Sequence, residues 1–228
     1  MALFEQIINT HSSFLGTLRH SFLDEDRKTA LQNFELKGFP TKKDEEYKYT
    51  NLKEITEKEY NFFPTEEHNI FKEQLDVLHL GEENFDRIVF INGKLHKEFS
   101  KISIGNAEFL SFGYALNDSA HKEAFDQYFN TIANRDLAFT NLNSAYCNFG
   151  FFLRVPKNVV IEKPIHIFYL SQNQEENTFY NTRNLLIVEE GAKVEIIESH
   201  HNFDESFVFT NSVTEIFTYQ NAKTDWHK

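Results

Sequence analysis

The side chains in this sequence best suited to chemistry are a single cysteine, Cys147, an adjacent histidine pair, His200-His201, a lone histidine in an apolar run, His166, and the acidic triplet Asp44-Glu45-Glu46. A cysteine attacks or ligates as its thiolate, and Cys147 stands between Tyr146 and Asn148 with no neighbouring Lys, Arg or His to lower its pKa. It reads as a small buried hydrophobe. Adjacent histidines on an extended segment face opposite sides of a sheet, so His200 and His201 are not expected to share one metal. His166 is expected to be a hydrogen-bonded sheet residue. Adjacent carboxylates point in different directions on a helix, and no His lies at i+3 or i+4 from Asp44, Glu45 or Glu46. That triplet is expected to be a solvated loop.

The common catalytic signatures are missing. There is no GxxxxGK[ST], no GxGxxG after a strand, no GxSxG and no HExxH. Nucleotide hydrolysis, dinucleotide binding and the usual hydrolase designs lose their sequence support. No catalytic, cofactor-binding or metal residue is assigned, and no enzyme activity is expected.

The bulk numbers narrow the partners. The chain has 228 residues, 40% of them hydrophobic, with 25 Phe, one Cys and a net charge of −12. It can bury a real core. The acidic balance repels phosphate backbones and anionic lipid surfaces, so neither nucleic acid nor a membrane is an expected partner. A lone cysteine excludes a disulfide framework within the chain and suits a reducing compartment. Residues 1–14 lack the basic and long apolar regions of a secretory signal, and no apolar run reaches about 18 residues. A cytoplasmic, soluble protein is expected.

The elements that position these residues divide near residue 147. Leu3, Phe4, Ile7, Ile8, Leu15 and Leu18 recur at helical spacing, predicting one helix or two short ones over 3–20. A second helix is expected to start on Asp24 or Asp26, carry Ala30, Leu31 and Phe34 inward, and close at Lys37-Gly38. Thr65 to His68 open a short polar helix running to Leu75. Asn92-Gly93 between two apolar runs predicts a tight hairpin. Ile102 to Ile104 and Phe109 to Phe112 read as short strands, Asn117-Asp118-Ser119 as a helix start, and Leu137 to Tyr146 as another helix.

From residue 148 a figure repeats. Val159 to Ile161 and Ile165 to Leu170 flank Glu162-Lys163-Pro164; Leu185 to Val188 and Lys193 to Ile197 flank Glu189 to Ala192; Ser206 to Phe209 and Val213 to Tyr219 flank Asn211-Ser212. Spacing alone fits either stacked solenoid coils or an antiparallel meander. The first two corners favour the solenoid, because neither Glu162-Lys163-Pro164 nor Glu189 to Ala192 is a two-residue Asn-Gly-type hairpin turn. Pro164 and Gly191 are then expected at equivalent bends of successive layers. The fold expected is mixed α and β: a helical and α+β region with a small hairpin over 1–147, then the first coils of a right-handed parallel β-helix over 148–228.

Four blocks carry a resemblance. Gly38 to Ile55, Arg87 to Leu95, Leu142 to Ala145 with Phe152 to Leu170, and Asn181 to Ser199 together resemble the SufB/SufD family of the SUF iron–sulfur cluster assembly system. The Gly38 to Thr50 block is similar to the SufD side of that family. The resemblance implies a non-catalytic scaffold subunit acting in cluster assembly and iron acquisition with SufB and the ATPase SufC. An iron–sulfur cluster would be held only transiently, in the full complex. It also implies members about twice this length, so the chain is expected to stop inside the β-helix and to self-associate through an exposed last coil. The family's partner-contacting and cluster-assembly regions would lie beyond Lys228, so no site residue is carried over. Two rivals are a β-helix polysaccharide lyase or esterase, for which Arg154, Lys157, Lys163, Arg183 and Lys193 are expected near corners without the required linear array, and an unrelated Phe-rich binding module.

Overall fold

The computed structural model describes residues 3–19, 21–65, 69–70, 84–172 and 175–228. The polar helix expected from Thr65 to Leu75 lies mostly outside the described residues. The helical arm forms as its periodicity predicts: α1 spans Leu3–Thr17 and α2 spans Asp24–Lys37, closed by Gly38 at φ 67° with its N–H on the Phe34 carbonyl at 2.8 Å. Neither Asp24 nor Asp26 is the cap. Leu23 precedes α2 without a side-chain cap bond, and both aspartates sit in the first turn, where they favour the helix dipole. The short α3 (Lys53–Thr56), α4 (Phe112–Asn117), α5 (Lys122–Tyr128) and α6 (Ala138–Tyr146) complete the helices described. Asp118 caps the short 3₁₀ turn, Ser119–His121, that leads into α5, accepting the Ala120 N–H at 3.0 Å.

Nine strands are described: β1 (Asp86–Ile91), β2 (Lys94–Leu95), β3 (Glu108–Ser111), β4 (Phe149–Val155), β5 (Ile165–Ser171), β6 (Thr178–Val188), β7 (Lys193–Asn202), β8 (Val208–Thr218) and β9 (Lys223–His227). One sheet has the order β2-β1-β5-β7-β9 and the other β3-β4-β6-β8. From β4 onward successive strands alternate between the sheets, and each pairs in parallel with the strand two ahead. Between the described strands, antiparallel pairing is confined to β1 with β2 and β3 with β4, and Arg87 adds an isolated antiparallel bridge to Lys101. Asn92 and Gly93, at φ 49° and 83°, make the two-residue turn between β1 and β2, as an Asn-Gly hairpin requires.

Three sequence expectations are corrected here. Ile102 to Ile104 forms no strand beyond a bridge from Lys101 to Arg87. The stretch Ser206 to Tyr219 holds one strand, β8 (Val208–Thr218), continuous through Asn211-Ser212, because both residues pair with β6. Val159 to Ile161 is no strand either; only Val160 bridges, to Lys193. The first pass is instead β4, a corner at Pro156 to Asn158, and β5.

The corners follow one rule, though not the one expected. Val159, Ala192 and Ala222 each donate N–H to the carbonyl three residues back, and the third turn residue is Asn158, Gly191 or Asn221, at φ 60°, 69° and 59°. A left-handed residue at that position is what a type II turn demands, and Gly and Asn are the residues that tolerate it. Gly191 is therefore equivalent to Asn158, not Pro164. Ile165 pairs with Ile196, which sets Pro164 beside the interior of β7. From Val160 to Ile165 the chain takes five steps where the next pass takes three, Lys193 to Ile196, so the Glu162-Lys163-Pro164 stretch carries a two-residue insertion.

The space between the sheets is filled by Leu153, Val155, Ile165, Ile167, Leu186, Val188, Val194 and Ile196. Helices cover the outer face of the second sheet. Leu3, Ile7, Ala30, Phe34 and Leu142 pack on Phe179 and Phe209, and Phe112, Phe125 and Phe129 pack on Phe152, Leu185 and Ile187. β6 is consequently buried along its whole length, which is why its sequence reads as a run rather than an alternation. Each phenylalanine so buried stabilises the fold by about 1.5–3 kcal/mol. No helix among the described residues is long and apolar enough to cross a membrane.

Candidate functional site

The chemistry-bearing residues end up apart. Cys147 follows α6, is fully buried, and its thiol donates to the Ser144 carbonyl at 3.3 Å. The fold does bring two arginines toward it, Arg27 and Arg183, which the local sequence could not reveal. Burial outweighs them and pushes the thiol pKa up. A protonated, enclosed thiol is a poor nucleophile.

His200 and His201 alternate on β7 as expected. The His200 ring stacks on Tyr169 at 4.9 Å, and His201 lies along Phe168 at 6.3 Å. His200 Nε2 lies 2.6 Å from Glu198 Oε1, which also takes the Lys228 ammonium at 2.8 Å. Burial alone would raise the Glu198 pKa; the His200 and Lys228 hydrogen bonds prevail and hold it below the usual carboxylate range. His166 is a sheet histidine with a partner, its Nε2 2.6 Å from Ser199 Oγ and its ring 3.7 Å from Phe168. Burial, then the neighbouring His201, lowers its pKa to about 4.

The acidic triplet is exposed as expected, but it is not wholly a loop: Asp44 precedes a 3₁₀ turn, Glu45–Tyr47, that holds Glu45 and Glu46. Asp44 accepts from the Thr41 N–H at 2.7 Å and the Thr41 hydroxyl at 3.1 Å, bonds that lower its pKa and close a local turn. Of the basic residues, Arg154 pairs with Glu189 and Lys157 with Glu190 across neighbouring corners. Among the described residues, no three His, Cys, Asp or Glu side chains gather as a metal site requires.

Arg183 is the exception to the expected placement. It lies in the middle of β6 at 0% exposure, where it forms a salt bridge with Glu215 of β8, itself 1% exposed. The guanidinium also donates to Asn130 Oδ1 at 2.8 Å and Asn143 Oδ1 at 3.3 Å, and lies 4.5 Å over the Phe129 ring. Glu215 in turn accepts backbone N–H bonds from Asn130, Ile132 and Ala133 at 2.8, 3.1 and 3.0 Å. Asn143 of α6 completes the set by donating to the Thr182 and Asn211 carbonyls. The cluster ties the loop before α6, and α6 itself, to two adjacent strands. Its groups are enclosed and bonded to one another, apart from the Arg183 Nε, which has no hydrogen-bond partner, and it positions the helical layer. The signal in the sequence was a polar residue of each sign at the outward phase of an apolar strand, Arg183 in NTRNLLIV and Glu215 in VTEIF.

Comparison with known proteins places these features. Residues 2–167 match the SufBD protein N-terminal region, and residues 169–228 match the SUF system FeS cluster assembly, SufBD core domain. An iron-sulfur cluster assembly SufBD family protein of Synechocystis is 27% identical over 226 residues, covering 96% of this chain and 49% of its own length. The chloroplastic protein ABCI7 of Arabidopsis thaliana is 27% identical over 195 residues, 81% of this chain and 39% of its own. A SufBD family protein of Staphylococcus saprophyticus is 35% identical over 79 residues, 34% of this chain and 17% of its own. The chain spans about half the length of the first of these relatives, and less of the others.

Proposed function

We propose, from the premise that this chain belongs to the SufBD family, that it is a non-catalytic scaffold subunit for iron–sulfur cluster assembly. On this reading it stands on the SufD side of the family and works in the cytoplasm with SufB and the ATPase SufC. The cluster is its cargo. The observation that carries the reading is that the two family matches tile residues 2–167 and 169–228, leaving almost none of the chain to a different function.

Three features support the finer parts. The alternation of strands between two sheets, each pairing in parallel two ahead, is what successive coils of a right-handed parallel β-helix would give. The dispersal of Cys147, His166, His200 and Asp44 suits a protein whose chemistry is done by partners. Finally, β8 and β9 stand at the sheet edges among the described residues, where unpaired backbone groups suit strand addition by further coils, a partner or a second copy.

The test is affinity purification of the full-length protein from its own host. Co-elution of a SufB-like paralogue and an ATPase in fixed stoichiometry is expected. A protein that elutes alone at every salt concentration would overturn the assignment.

A further inference from the structure

The segment that joins α2 to α3 is exposed over residues 41–46 and 48–51, yet it is pinned at both ends. The Phe39 ring packs against Phe34 at 5.2 Å and Phe139 at 5.7 Å, Tyr47 lies 5.9 Å from Phe139, and Asp44 closes the turn at Thr41. At the other end Asn51 Oδ1 accepts the Lys53 N–H at 3.2 Å, and the Thr56 hydroxyl donates to the Leu52 carbonyl at 3.1 Å. Between these two walls runs a groove of about 410 Å³. Its half-buried apolar residues are Phe39, Pro40 and Leu52, and Lys42, Asn51 and Lys53 stand exposed at its rim. Walls already fixed lose little freedom when something binds between them.

The charges give this groove a sign. Lys42 and Lys53 are the charged side chains among the described residues that line it, and neither has an ion-pair partner among the described residues. Glu54 and Glu57 follow Lys53 closely but do not line the groove. On the far side of Phe39 to Thr41 a second hollow is lined by Asp44, Glu45, Glu46 and Asp136 as well as Lys37 and Lys43. The positive sign thus belongs to the one groove and not to the whole loop. In a chain of net charge −12, two unpaired ammonium groups beside an apolar floor complement carboxylates that flank an apolar side chain. A long run of phosphates fits less well, because the acidic remainder of the chain repels it.

We propose that this groove docks an acidic peptide segment of a protein partner, one bulky aliphatic side chain lying on Phe39, Pro40 and Leu52 and a carboxylate on either side pairing with Lys42 and Lys53. In an extended peptide the residues two before and two after the aliphatic one share its face, so they supply the carboxylates.

The probe is the blocked peptide acetyl-Glu-Ser-Leu-Ser-Glu-amide. Titrated into the full-length protein and followed by amide NMR, it should give saturable shifts at Lys42, Asn51, Lys53 and Thr56. Exchanging both peptide glutamates for glutamine should weaken binding about fivefold, and so should Lys42→Gln with Lys53→Gln in the protein. Exchanging the peptide leucine for alanine should weaken it about tenfold. The double variant should keep its melting temperature, since both lysines are exposed; if it does not fold, the glutamine peptide decides the matter. A lysine rim that only shields apolar surface would bind the charged and neutral peptides equally. That result would overturn the proposal, as would no saturation by about 5 mM, shifts elsewhere, undiminished binding by the folded double variant, or tighter binding of a short oligonucleotide or an anionic vesicle at the same lysines.

Discussion

Gly191 and Asn158 occupy the same place on neighbouring passes of the chain. Asn158 donates its N–H to the Glu190 carbonyl at 2.9 Å, and a Cβ on Gly191 would lie 2.4 Å from Asn158 Oδ1. Gly191→Ala therefore meets both a left-handed backbone at φ 69° and a crowded neighbour. The Asn158 amide can swing aside, so the backbone sets the cost, about 1–2 kcal/mol. Urea unfolding should show this loss, and Asn158→Gly combined with Gly191→Ala should recover only the part due to the contact.

Arg183 and Glu215 should be strongly coupled. Removing one partner leaves the other charge buried, so Arg183→Met or Glu215→Leu alone should destabilise by about 3–5 kcal/mol. The double variant should cost much less than the sum. Additive losses in a double-mutant cycle would show that the pair is not the unit that holds α6 to the sheet.

Stability should fall as the solution is acidified from about pH 6.5 toward 4. His166 is held down to about 4 in the folded state, and His11 and His201 are also depressed, each chiefly by burial. The unfolded chain titrates near the ordinary histidine value, so within this window it binds more protons than the folded chain. The contribution is fully present above the unfolded value and lost on going down. Urea midpoints at pH 7 and 5 should differ less in His166→Asn, and the His166 ring signals should titrate near pH 4.

Cys147 should be silent to thiol reagents in the folded protein. Its thiol is enclosed and its pKa raised by burial. Labelling by an aromatic disulfide at pH 8 should proceed at the rate of unfolding and speed up in urea. Prompt labelling without denaturant would contradict the burial.

Much of the local order was legible in the sequence. The recurrence of Leu3, Ile7 and Leu15 set α1, Gly38 closed α2, and Asn92-Gly93 made the hairpin, because helix periodicity, caps and two-residue turns act over a few residues. The separation of His200 from His201 also followed from strand alternation alone. What needed the tertiary structure was everything set by register. That Gly191 answers to Asn158 rather than Pro164 depends on a two-residue insertion counted only against the neighbouring strand. That Arg183 is buried depends on Glu215, 32 residues on, and on a loop whose N–H groups converge there. Local chemistry specified which segments could be strands and helices; only packing across the sheets decided which side chains met, because pairing partners far apart in the chain supply the charge and burial that a single segment cannot.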